Sequence, residues 1–101
     1  MIGHTPGPWE IVPGDEWTCD VGTPEGDYPD GRKRHYNVAS VNRRRDEYEA
    51  NIRLIAAAPE LLSIARHWVA LDSGAWHAER HAAEKAELLA DTLAAIAKAQ
   101  P

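Results

Sequence analysis

A chain of 101 residues with a 44 % apolar share is long enough to bury one core, and it is too apolar to be read as disordered. The formal net charge of −5 argues against general nucleic-acid binding and against anionic membrane surfaces. A single cysteine, Cys19, excludes an intramolecular disulfide and leaves little for a Cys-based metal site. No basic-then-apolar leader opens the chain, and its longest apolar run, 54–58, is far too short to span a bilayer. A cytoplasmic protein of the host cell, without a membrane partner, is the expectation, organised as one domain over residues 1–101.

In chain order, residues 1–9 hold two Pro and two Gly and read as an extended lead-in. Residues 9–12 then predict a short strand, with Trp9 and Ile11 on one face. A Pro-Gly-Asp-Glu turn follows, and alternation resumes through Trp17, Cys19 and Val21 to give a second strand. Residues 22–31, rich in Gly, Pro and acids, read as a loop. Residues 36–41 predict a third strand with Tyr36, Val38 and Ser40 on one side. Three strands on short connections form an antiparallel meander over residues 1–45.

Residues 46–101 read as helical. Tyr48, Ile52, Ile55 and Ala56 recur at helical spacing, and Glu49 and Arg53 stand four apart in the favourable acid-before-base order. Pro59 lacks a backbone donor and crowds the preceding turn, so the helix must kink there or restart with Pro59 in its first turn. Glu60 then sits where negative charge is favoured. The second helix runs to about Leu71, carrying Leu61, Leu62, Ala65, Trp68 and Val69, and Asp72, Ser73 and Gly74 end it. A third, Ala-rich helix covers about 75–98, with an apolar face of Ala82, Ala86, Leu89, Leu93 and Ile96. Its small residues suit close approach of a neighbouring helix, so a homo-oligomer is expected. The fold class is α+β: a three-stranded antiparallel meander followed by two to three helices packed on it.

Two separated pieces, HTPGPW at residues 4–9 and EANIRLIAAAPELL at residues 49–62, together resemble a widespread group of small proteins of tailed phages and prophages. The Ead-like early proteins of temperate phages share a looser version of both. Ile52 stands where the group has Ala. The resemblance implies a phage or prophage origin and a strand-then-helix outline, and it implies no reaction.

Six of the eleven basic residues fall within fourteen positions. Arg32, Lys33 and Arg34 precede the third strand, and Arg43, Arg44 and Arg45 follow it. Over a strand of roughly 20 Å the two clusters lie at opposite ends. In an oligomer, clusters from different chains can converge on a small nucleotide-like ligand: Arg gives bidentate contacts to phosphate, and Trp17, Tyr28 or Tyr36 stacks on a base. The plainer reading is a solvated loop and a solvated junction, balanced by Asp27, Asp30, Asp46 and Glu47.

His77, His81 and Glu84 share one helical face in the geometry of a two-His-plus-carboxylate metal site, although H-A-E-R-H is not the HExxH pattern. A salt-bridged solvated face, with Glu79, Arg80 and Lys85, is the commoner meaning of such a stretch. Trp68 and Trp76 bracket the turn between helices and fit packing at that corner. No nucleophile elbow, P-loop or dinucleotide fingerprint is present. The expectation is a non-enzyme without a cofactor. It is a phage accessory protein that counters host defence by binding, either sequestering a small nucleotide signal between subunits or engaging a host defence protein through an acidic or apolar surface.

Overall fold

A computed structural model describes residues 3–73 and 78–101. The order is β1 (Glu10–Val12), β2 (Thr18–Asp27), β3 (Lys33–Asn42), α1 (Tyr48–Ala56), α2 (Ala58–Ser73) and α3 (Ala78–Ala99). The strands form one antiparallel sheet in the order β1-β2-β3, the meander expected from the alternation. Cys19 and Val21 of β2 and Val41 of β3 point to the same side. There they are covered by Ile52 and Ala56 of α1, with Trp9, Tyr48 and Ile55 packed around them. On the solvent side Asp20 accepts hydrogen bonds from Ser40 Oγ at 2.6 Å and Asn37 Nδ2 at 3.3 Å. The one-in, one-out pattern of β2 therefore orients the sheet.

Three expectations need correction. The segment 22–31 is not all loop, because β2 runs on to Asp27 and β3 begins at Lys33, leaving a turn at 28–32. β1 pairs only as far as Gly22, so Pro24 faces open solvent on that edge and its missing N–H breaks no ladder. Register shifts flank Pro24, and Gly26 takes φ 126°, a conformation that glycine adopts readily. Trp17 and Trp9, expected inside strands, lie outside them. Trp17 is exposed in the bend before β2, whereas Trp9 packs beside the core and donates its indole N–H to the Thr5 carbonyl at 3.0 Å.

Pro59 does what its chemistry requires. α1 ends at Ala56, α2 restarts at Ala58 with Pro59 in its first turn, and the two axes differ by 52°. Gly7 of the lead-in lies so close to this break that a Cβ there would come 2.9 Å from Pro59 Cβ. The two stretches that carry the phage resemblance thus meet in space.

The third correction concerns the rotation of α3. Its expected apolar face is turned outward, with Leu89, Leu93 and Ile96 each at least 41 % exposed, while Leu88 and Ala95 are buried. Adjacent leucines at 88 and 89 offer two nearly equivalent stripes. Polar contacts with α2 select between them: the Trp68 indole donates to Thr92 Oγ1 at 3.0 Å, and Lys98 Nζ pairs with Glu60 Oε1 at 2.7 Å. On α2 the matching buried or half-buried residues are Leu61, Ile64, Trp68 and Leu71, whereas Leu62, Ala65 and Val69 are exposed. α1 lies on the sheet, and α2 and α3 extend from α1 as an antiparallel pair. The radius of gyration is 17.1 Å, against about 13 Å for a compact chain of this length.

Gly22 is buried where β2 and β3 come closest, and a Cβ there would lie 2.8 Å from the Tyr36 carbonyl oxygen. Backbone cannot yield as a side chain can. Gly22→Ala is expected to destabilise the protein by about 1–3 kcal/mol, read as a lowered urea midpoint with unchanged m-value.

Candidate functional site

Exposed aromatics and arginines are the chemistry-bearing groups that the sequence singles out, and the structure sorts them into two places. At the β2–β3 turn, Arg32 Nε lies 2.6 Å from Asp30 Oδ2, and its guanidinium covers the Tyr28 ring at 5.3 Å. Arg34 Nη2 reaches Glu25 Oε2 at 3.5 Å, and Tyr36 stands exposed further along β3. At the other end, Arg43, Arg44 and Arg45 occupy the turn between β3 and α1. A ten-residue β3 is longer than expected, so the two clusters stand about 30 Å apart. One protomer does not bring them together.

The junction end is the better built of the two. The β1–β2 connection folds back through Asp15, whose Oδ1 accepts the backbone N–H groups of Trp17 at 2.8 Å and Thr18 at 2.9 Å. Those bonds stabilise the carboxylate and hold its pKa below the ordinary 3.8, Trp17 N–H being the larger cause. Trp17 is thereby fixed at the rim of the sheet, 47 % exposed, with the Arg44 guanidinium 3.9 Å above its ring centre. Asn42, the last residue of β3, accepts the Arg44 backbone N–H through Oδ1 at 2.8 Å and so shapes the turn that follows. Arg43 Nε donates to the Thr18 carbonyl at 3.1 Å, with its guanidinium 5.7 Å from the Tyr48 ring. Arg45 is drawn off to Glu47 at 3.6 Å. Among the described residues, Arg32, Arg34 and Arg45 have carboxylate partners. Arg43 and Arg44 are held only by carbonyl and ring, which leaves their charge uncompensated.

His77 and Trp76 lie outside the described residues. His81 and Glu84 sit on α3, where Glu84 accepts from Arg80 Nε at 3.1 Å, the salt-bridged face named above. Among the described residues no group of His, Cys, Asp or Glu gathers as a set able to hold a metal ion.

Sequence reasoning missed a cleft of about 680 Å³ between the lead-in, the start of α2 and the end of α3. His4, Gly7, Pro8, Glu60, Arg66 and Lys98 contribute to its walls. Its size suits a small molecule. Glu60 Oε1 is taken by Lys98, while Oε2 is buried and without a partner among the described residues. The cleft joins three segments far apart in the chain. A Glu60–Lys98 pairing across 38 positions leaves no local pattern to read.

The geometry defines a small α+β protein with a cationic, aromatic rim at one end of its sheet and a projecting helical pair. The chain belongs to the family described as Salmonella phage P22 protein Y8K6, whose model it matches over residues 1–101. It is thus a phage protein, as the paired motifs imply. No curated protein and no solved structure matches it. Among the described residues no single helix is long and apolar enough to cross a membrane.

Asp15→Ala removes the acceptor of two backbone N–H groups, and faster hydrogen exchange at Trp17 and Thr18 is the expected result. The folded carboxyl has the lower pKa, so its contribution is complete above the unfolded value. It is lost as pH falls through the folded value. An NMR titration should place the Asp15 midpoint below 3.8, and Asp15→Asn should remove that part of the pH dependence.

Proposed function

We propose that this phage protein is a non-enzymatic accessory factor that counters host defence by binding a small nucleotide-like signal and holding it unchanged. The observation that carries the reading is the junction of Trp17, Arg43 and Arg44: two guanidinium groups with no carboxylate partner among the described residues, beside an exposed indole whose backbone N–H is held by Asp15. A phosphate takes charge-assisted hydrogen bonds from guanidinium groups. A base stacks on indole or guanidinium faces, a mode tolerant of base identity. Arg45 lies at this junction but is paired with Glu47, whereas Arg32, Arg34 and Tyr36 belong to the site only when a neighbouring subunit brings its other hairpin end here, because about 30 Å separates the two ends within one chain.

A second reading, an inhibitor or adaptor that engages a basic surface of a host defence protein, draws on the net charge of −5. The two differ in which charges matter.

Native mass spectrometry of the protein purified from an extract of defence-active cells is the test. The expected outcome is a retained mass of a few hundred daltons per site that disappears in Arg43→Glu and Arg44→Glu, with the fold intact by circular dichroism. Loss of anti-defence activity on reversal of exposed Glu or Asp charges, with the Arg variants fully active and no small molecule retained, overturns it in favour of a host-protein partner.

A further inference from the structure

The antiparallel α2–α3 pair has two long sides with different chemistry. On one side Lys98 bridges to Glu60 and the cleft opens. Taking 100° per residue and opposite helix directions, Ala65 and Val69 of α2 fall on the opposite side of the pair. Leu89, Leu93 and Ile96 of α3 fall on that same side. The exposures agree: Val69 is 68 % exposed, Leu93 59 %, Leu89 50 % and Ile96 41 %. Leu62, at the outer edge of α2, lines the cleft.

α2 is about 24 Å long, and two helices 8–10 Å apart present a face about 20 Å wide, roughly 500 Å² before side-chain relief is counted. That is toward the upper end of the largest patch on an ordinary monomer, about 300–600 Å², and below the about 800 Å² per partner of a standard interface, so the contact it supports is a small one. Acids outnumber Lys and Arg on these two helices, which opposes an anionic lipid surface as the occupant. A face of aliphatic side chains bordered by the alanines of α3 complements its own copy across a two-fold axis, since small residues let helices approach closely.

We propose that a second copy of this chain covers this face, so that two α2–α3 pairs form a four-helix bundle. The claim stands apart from the ligand proposed above, because it is read from mass and stability without any ligand present.

The full-length protein, purified and stripped of small molecules by refolding, is expected to show twice the 11.2 kDa protomer mass by native mass spectrometry. Its melting temperature is expected to rise with protein concentration. Val69→Glu and Leu93→Glu should each raise the dimer dissociation constant by roughly a hundredfold, because a carboxylate is then driven into an apolar contact. Both side chains are open in the protomer, so helicity should be retained. Leu54→Glu, at an exposed position on α1, should leave the dimer unchanged. A monomer at tens of micromolar, a melting temperature independent of concentration, or an oligomer indifferent to both substitutions overturns the proposal. A wild-type monomer that pairs only with host protein through this face assigns the surface to that other occupant.

Discussion

The packing of Ile52 and Ala56 against Cys19, Val21 and Val41 is the contact on which the remaining architecture depends. Among the described residues α1 is the helix that packs on the strands, and α2 and α3 join the sheet through it. A sheet with one apolar face needs such a cover, and α1 needs the sheet in turn, since nine residues do not hold a helix in water by propensity alone. Tyr48 and Trp9 widen the contact at its edges. The lead-in is held from the other direction by Gly7 against Pro59, so one small core organises the chain from residue 7 to the start of α2.

The features readable in advance were those whose chemistry is local. Pro59 lacks a donor wherever it stands, so a break at that point follows from the residue itself. The alternation of Cys19 and Val21 similarly defines a half-buried strand without knowledge of its partners. The extension of β2 through Pro24 and Gly26 was hidden, because both residues are strand-breakers unless the edge is unpaired and a bulge absorbs the φ. That depends on where β1 stops. The rotation of α3 was hidden for a related reason. Leu88 and Leu89 give two stripes of similar quality, and the choice lies in Trp68–Thr92 and Glu60–Lys98, contacts that sequence spacing does not encode.

Site legibility follows the same division. The two Arg clusters were expected before and after the third strand; Arg43 to Arg45 do follow it, but Lys33 and Arg34 lie inside β3, which begins earlier than alternation alone indicates. Which arginines remain available was not legible. Asp30, Glu25 and Glu47 each lie within a few residues of an Arg or across a strand pair, and only geometry shows that they take Arg32, Arg34 and Arg45. Arg43 and Arg44 escape because their nearest neighbours are the Thr18 carbonyl and two aromatic rings. An exposed ion pair contributes little to stability, but it does neutralise a charge that a ligand would otherwise meet. The acids beside the two clusters thus shape the site by subtraction, and of the five arginines Arg43 and Arg44 keep no carboxylate partner among the described residues.

The same subtraction explains why shape and stability are linked in this protein. The 52° bend at Pro59 carries α2 and α3 away from the sheet, so their apolar residues bury against each other and against α1, with no strand beneath them among the described residues. Leu71, Leu88 and Ala95 are the buried apolar residues of the two helices. Ordering each residue of the helical pair costs about 1–2 kcal/mol of backbone entropy, set against a seam of a few aliphatic side chains and one indole. A second, outward stripe of Leu, Ile and Val on such a pair is surplus to the monomer's own packing. Covering it adds burial where the chain has least. Any occupant of that face therefore acts first on the stability of the helical pair, and the sheet with its Trp17–Arg44 rim stays uncovered.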